Sequence, residues 1–269
     1  DKGVTYSTFD YSYDDNETVD NVRNLIKPET KLVICTHASN VFGFRFPIER
    51  ICALCHAYGI LFCVDSAQSA GVFDIDVGTN QYDFVCTSGH KSLYGPMGTG
   101  VLILNNRNLK PLLYGGTGTE SVKKSQPEGL PEKFESGTQN MNGISGLKAG
   151  VDFVKNRGIK NIYNHEYKLA KRLFNGLANN RKVITYNKSF DYGKVAPVVS
   201  FNIDGVYSED LVAKLNKYGI MTRGGLHCSP LAHTTMNTIE NGTVRVVPGA
   251  FNTINDINYL LNVIRKLTN

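Results

Sequence analysis

The sequence has no tryptophan, only four methionines, and no Lys/Arg run longer than two residues. Nor does it contain an apolar stretch approaching the ~18 residues of a membrane span. These absences exclude a transmembrane helix and the clustered basic footprint of a nucleic-acid binder, although 29 basic against 24 acidic residues leave a net charge of +5. The opening residues Asp1-Lys2-Gly3-Val4 show neither a signal peptide nor a transit peptide. Internal repeats and low-complexity linkers are missing as well. What remains is ordinary for a soluble globular enzyme: 41% hydrophobic and 20% charged residues, which excludes disorder. At 269 residues the chain forms one large domain or two modest ones, with a core that needs no disulfide or metal staple.

The six cysteines do not form a secreted disulfide framework. Cys35, Cys63 and Cys86 lie in the runs LVICT, LFCVD and FVCTS, which read as buried strand interiors where cysteine acts as a small hydrophobe. Cys52 and Cys55 fall on a helical pattern. Cys228 stands apart in a Gly-flanked polar segment between an arginine and a proline, a setting for a reactive thiol. A reduced, cytoplasmic chain is expected.

Short apolar runs alternate with helical patterns. Strands are expected at Val4–Phe9, Leu32–Thr36 (buried), Ile60–Val64, Phe84–Thr87 and Gly100–Leu104. Helices are expected at Thr18–Leu25 and from Ile48 to Tyr58, where Gly59 caps the end. Helical crossovers between strands imply an α/β fold, a mainly parallel sheet with helices on both faces. After about Asn140 the texture becomes α+β. Helices are expected at Gly143–Asn156, Ile159–Leu177, Ser208–Lys217 and from the last strand to Leu267. Strands are expected at Val183–Tyr186, Val198–Ile203, Ile220–Arg223 and Thr243–Val247. A division into a large domain, 1–142, and a smaller α+β domain, 143–269, follows. The polar, aperiodic segment Gly115–Gly137 reads as a long functional loop.

In such sheets ligands bind beyond the carboxyl ends of the strands. Three strand ends here run into reactive types: His37-Ala38-Ser39-Asn40, Asp65-Ser66-Ala67-Gln68 and Ser88-Gly89-His90-Lys91. Any one of them alone reads as a strand-end cap, but three in succession read as a site. A lysine in a partly desolvated pocket forms Schiff bases. A carboxylate at a neighbouring strand end keeps a pyridinium nitrogen protonated. Those parts fit pyridoxal phosphate better than a nicotinamide.

The runs Thr36–Gly43, Val64–Gln68 and Ser88–Gly100 together resemble the class V aminotransferase family, most of all its cysteine desulfurases and selenocysteine lyases. Gly115-Gly116-Thr117, Phe134–Asn140, Arg223–Pro230 and Gly242–Arg245 match in the same order, so the resemblance covers essentially the whole chain. It implies the fold of type I pyridoxal-phosphate enzymes. Lys91 is then the Schiff-base lysine and proton shuttle, Asp65 the partner of the pyridine nitrogen, and Gln68 a partner of the ring hydroxyl. Asn40 lies near that hydroxyl and the substrate carboxylate. Ser88 and His90 bind the phosphate, and Thr117 reaches the phosphate of a partner subunit, which implies a homodimer. Arg245 clamps the substrate carboxylate, Arg223 lies near the entrance, and Cys228 accepts the sulfur. His227 and Arg223 are the neighbours that would favour its thiolate. The implied activity removes sulfur or selenium from L-cysteine or selenocysteine, giving alanine and a persulfide on Cys228 that passes to an acceptor protein.

The resemblance also implies on the order of a hundred further residues on the N-terminal side, a whole large-domain portion. A chain opening within that domain would leave apolar sheet surface inviting association. Two alternatives stay open: an aminotransferase or other lyase on the same scaffold, which has no need of Cys228, and a catalytically silent remnant that only folds or dimerises. Other motifs have plainer readings. Cys52-Ala53-Leu54-Cys55-His56 matches haem attachment, but its cysteines fall on an apolar helical stripe and read as core. Cys228, His227 and His233 lack a fourth zinc ligand at usual spacing, so no metal is expected. His37 reads as structural.

Overall fold

The computed structural model describes residues 3–105, 109–120 and 122–268. Helix α1 (Asp15–Arg23) starts where the Asp14 side chain accepts the Asn16 amide, one of the unpaired donors of a first helical turn. Strand β1 (Leu32–Thr36) leads through a turn to α2 (Ile48–Ala57), then β2 (Leu61–Asp65), a one-turn α3 (Val77–Asn80), β3 (Phe84–Ser88) and β4 (Gly100–Leu104). These strands form one sheet in the order β1-β2-β3-β4. The first three are parallel and β4 returns antiparallel to β3. The expected mainly parallel sheet is present.

One face of this sheet is packed. Phe62, Val64 and Val85 meet Val19 and Val22 of α1 and Ile48, Ile51, Cys52 and Cys55 of α2. The C-x-x-C cysteines are thus core residues, as their spacing predicts. The other face is open at the outer strands, where Ile34 is 62% exposed and Leu102 52%, while Phe84 between them is 8% exposed. Successive strand side chains alternate between faces, so Cys63 and Cys86 share this open side, their sulfurs 4.0 Å apart. The expectation of a fully buried β1, and of buried Cys63 and Cys86, is therefore corrected. Of the three strand cysteines Cys35 is buried, while Cys63 and Cys86 are half-buried.

The second half begins with two long helices, α4 (Met141–Arg157) and α5 (Ile159–Ala178). Strands β5 (Val183–Thr185), β6 (Val199–Ile203) and β7 (Val244–Val246) form an antiparallel sheet in that order. Between β6 and β7 lie α6 (Ser208–Asn216) and the short α7 (Pro230–Thr235), and α8 (Ile254–Thr268) closes the chain. The central β6 is buried along its whole length. It packs with Tyr163, Ala170, Leu173 and Leu177 of α5 and Leu260, Val263 and Ile264 of α8.

Two strand expectations fail. Residues 4–9 are not a strand: Val4 is 82% exposed and Tyr6 87%, and no neighbouring chain satisfies their backbone in a ladder. Residues 220–223 form no regular strand, only a single bridge between Arg223 and Arg245. Both stretches have β-prone composition without a partner, and pairing decides.

The two halves are stitched by residues 38–46. Phe44 bridges to Val195, the Ala196 amide donates to Gly43 O at 2.8 Å, and Asn187 Nδ2 donates to Phe42 O at 2.9 Å. Gly43 has φ +72°, and a Cβ there would stand 3.0 Å from Ala196 O. Only glycine meets both the left-handed backbone and this approach.

Candidate active site

Because β1, β2 and β3 are parallel, their carboxyl ends lie together, and Thr36 and Asp65 are register partners, as are Asp65 and Cys86. A cavity of about 650 Å³ opens there. It is lined by Asn40, Asp65, Gln68, Lys91 and Cys228 among others. These five expected site residues come from stretches up to 188 positions apart (228 − 40) and are brought together.

Lys91 feels Asp65, Arg245 and Cys228 electrostatically, and partial burial lowers its basicity. Arg245 is likewise lowered, first by burial and then by Arg223, while Cys228 opposes the shift. Arg245 Nη1 donates to Asn40 O at 2.8 Å, and Asn40 Nδ2 donates to His227 O at 2.7 Å. This chain of bonds ties β7, the β1 end and the cysteine-bearing loop into one unit. His227 and Cys228 both adopt left-handed backbone, φ +53° and +61°. Consecutive non-glycine residues in that region are uncommon and gather at functional sites.

His227 does not supply positive charge to the thiol. Burial pushes its pKa down to about 4, and its Nε2–H donates to Thr243 O at 2.8 Å. Lys91 and Arg245 are both in electrostatic reach of Cys228. His37 is buried and neutral, pushed down to about 3 by burial and by Arg45, whose Nε donates to His37 Nε2 at 3.1 Å.

Other expected residues lie at the rim or away. Ser88 ends β3, its buried hydroxyl without a partner. His90 is exposed on the turn between Ser88 and Lys91. Arg223 faces the β7 strand, backbone to backbone with Arg245. Thr117 lies outside the cavity lining, and its hydroxyl accepts the Glu120 amide at 3.4 Å. The loop around it is organised rather than loose: Gln126 is buried and donates to Glu132 O and Glu135 O at 2.8 and 3.0 Å.

The lysine-bearing turn is seated on α4. A Cβ on Gly150 would stand 2.2 Å from Leu93 O, and one on Gly146 would meet Pro96 at 3.0 Å. The cavity also has an aromatic wall that motif reading missed, formed by Tyr11, Phe42, Phe44 and Phe46, with Tyr11 stacked on Phe44 at 4.6 Å. The signal was present in the alternation Phe42-Gly43-Phe44-Arg45-Phe46.

A cofactor fit is testable on these groups. Asn40 Oδ1 and Ser88 Oγ are buried polar atoms without partners, each calling for a ligand or water. A lysine of reduced basicity stands near a carboxylate at the adjacent strand end. This donor set fits pyridoxal phosphate.

Residues 1–260 match the family model for class V aminotransferases. A probable cysteine desulfurase of Pyrococcus abyssi is 36% identical over 246 residues, covering 88% of this chain and 59% of the relative. One from Halalkalibacterium halodurans is 33% identical, covering 98% and 64%. Among solved structures, the apo cysteine desulfurase of Thermococcus onnurineus NA1 is similar with a TM-score of 0.84 at 34% identity, over 93% of this chain and 62% of that one. A cysteine desulfurase of Escherichia coli superposes with a TM-score of 0.83 at 29% identity, over 92% and 61%. The chain thus spans about three fifths of the length of these relatives. With the sheet order, the strand-end residues and these matches in agreement, the chain has the fold of type I pyridoxal-phosphate enzymes and belongs to the class V aminotransferase family.

Proposed function

We propose that this chain carries the catalytic centre of a pyridoxal-phosphate-dependent cysteine desulfurase, acting on L-cysteine or selenocysteine. The observation that carries the reading is the meeting of Lys91, Asp65, Asn40, Gln68 and Cys228 in one cavity, with Arg245 in electrostatic contact with Lys91 and Cys228. An aminotransferase needs the lysine and the carboxylate but has no use for an exposed thiol there.

Pyridoxal phosphate, when bound, supplies an electron sink for the substrate's Cα. Lys91 anchors it and moves the Cα proton, a task suited to an amine of lowered basicity. Asp65 holds the proton of the ring nitrogen. Asn40 Oδ1 and Gln68 orient the ring, and Ser88 and His90 donate to the phosphate. Arg245 pairs with the substrate carboxylate, a charge-assisted bond, and Arg223 adds positive charge at its side. The Cys228 thiolate would attack the substrate's sulfur atom as the Cβ–S bond breaks; the electron pair of that bond stays with the substrate carbon, which takes up a proton, so the sulfur remains on Cys228 as a persulfide and alanine departs. Residues 1–142 form the cofactor-binding domain and 143–269 the smaller one. A homodimer in which Thr117 serves the partner's site, transfer of the sulfur to an acceptor protein, and a reducing cytoplasmic setting for six free thiols complete the reading. Among the described residues no helix is long and apolar enough to cross a membrane.

The test is near-visible absorption of the chain with added pyridoxal phosphate, followed by L-cysteine. A protonated-imine band is expected, absent in Lys91→Ala and altered by cysteine. Cys228→Ala is expected to keep the band and lose desulfuration by at least about a hundredfold, the scale for a lost nucleophile. Full turnover by Cys228→Ala would overturn the sulfur-acceptor role. No band at all in the unaltered chain would overturn the reading for this chain.

A further inference from the structure

Glu166 has no part in that chemistry, yet it is a carboxylic acid only 4% exposed in the middle of α5. Burying such a group is costly unless it is held. The Tyr94 hydroxyl donates to its Oε1 at 3.1 Å. The same hydroxyl accepts the Ala250 amide at 3.2 Å, and Arg157 at the end of α4 donates to Ala250 O at 3.2 Å. Tyr94 is also part of the lysine-bearing turn, where its amide donates to Lys91 O at 2.9 Å. It holds φ +55°, a backbone state that a non-glycine residue keeps only where its surroundings over-determine it. Gly150 of α4 fixes this turn from one side, with no room for a Cβ against Leu93 O. The tyrosine hydroxyl fixes it from the other.

We propose that Glu166 is a positioning residue for Lys91, acting through the Tyr94 hydroxyl, which fastens the lysine-bearing turn to α5 and to the 249–252 turn. The proposal rests on Lys91 being the Schiff-base lysine. The groups facing Glu166 are Tyr94 from the turn and Arg157 from α4, while the 249–252 turn presents the Ala250 amide to the shared hydroxyl. Burial lifts the carboxyl to about 7, against the opposing pull of Tyr94 and Arg157. Glu166 therefore changes charge in the neutral range; a carboxylate is the stronger acceptor for Tyr94, but burial outweighs that bond, so the closed turn favours the protonated acid.

The experiment compares the unaltered chain with Tyr94→Phe, Glu166→Leu, Glu166→Gln and the Tyr94→Phe/Glu166→Leu pair. Hydrogen exchange of the 88–96 segment, corrected for intrinsic rates, is read at about pH 6 and about pH 8, on either side of the Glu166 transition. Tyr94→Phe and Glu166→Leu are each expected to lose protection by about tenfold, the scale of one hydrogen bond, and the pair by no more than either alone. Glu166→Gln keeps an acceptor oxygen and is expected to retain protection. The unaltered chain is expected to lose protection from the lower to the higher pH, because opening the turn rehydrates the buried carboxylate, and Glu166→Gln is not. In parallel, the pH midpoint of the Lys91-dependent pyridoxal-phosphate band is expected to shift in Tyr94→Phe and Glu166→Leu but not in Glu166→Gln.

Additive losses in the pair, protection unchanged in Tyr94→Phe, or an unmoved band midpoint would overturn the proposal. If Glu166→Leu does not fold, the pH response of the unaltered chain against Glu166→Gln decides it. Coupled exchange without any Lys91-dependent band would instead count against the cofactor assignment, so the two failures are told apart.

Discussion

At the residue scale, ionisable groups here are governed by burial more than by pairing. Glu166 shows what that does to stability. An ordinary carboxyl near 4.5 is lifted in the fold to about 7. Between those values the folded chain keeps a proton that the unfolded chain has released, so stability falls as pH rises through that window. The displacement corresponds to roughly 3 kcal/mol in total. Glu166→Gln has no proton to lose. Urea unfolding at about pH 4.5 and about pH 8 is expected to show the variant gaining roughly 3 kcal/mol on the unaltered chain towards the higher pH. Parallel profiles would mean that Glu166 titrates as it does in water. None of this was legible in the sequence, because Tyr94 and Glu166 are 72 positions apart and each alone looks unremarkable on its element. Lys91, Asp65 and Asn40 were legible because chain order already places them at successive strand ends.

At the element scale, α4 is a seat as much as a helix. Replacing Gly150 by alanine should favour the helix itself by about 1 kcal/mol. It would also place a Cβ 2.2 Å from Leu93 O and 2.7 Å from the Tyr94 carbonyl carbon, backbone atoms that have nowhere to go. A net loss of about 1–3 kcal/mol, the overpacking range, is expected in thermal unfolding of Gly150→Ala. Gly129→Ala, where nothing lies within 4 Å of the added carbon, serves as a near-neutral control. Equal melting of the two would remove the seat argument. Long apolar periodicity made α5 readable to within a residue at each end, and α8 at its end, its start being left open. The missed or mistaken elements were those decided by partners: residues 4–9 and 220–223 have strand composition but lack a ladder, and α3 and α7 span four and six residues, too short to show a period.

At the scale of the whole chain, the described residues cover the first sheet on one side only. Ile34 and Leu102 stand out on the open side, and apolar patches of this kind promote association. Ile34→Thr together with Leu102→Thr is expected to reduce concentration-dependent association in sedimentation velocity while changing unfolding free energy by no more than about 1 kcal/mol, each being a surface change. Unchanged association would place the contact elsewhere.

The bonds from Arg245 to Asn40 and from Asn40 to His227 span 205 and 187 positions of chain. Contacts that distant pay their loop-closure entropy before they return anything, so they form after the local structure on either side. The candidate site is then expected to be the last part of the molecule to assemble on refolding. It is also expected to be the first to come apart on warming, while both sheets still stand. Such a chain is expected to show two thermal thresholds, one for the cavity at the strand ends and a higher one for its shape.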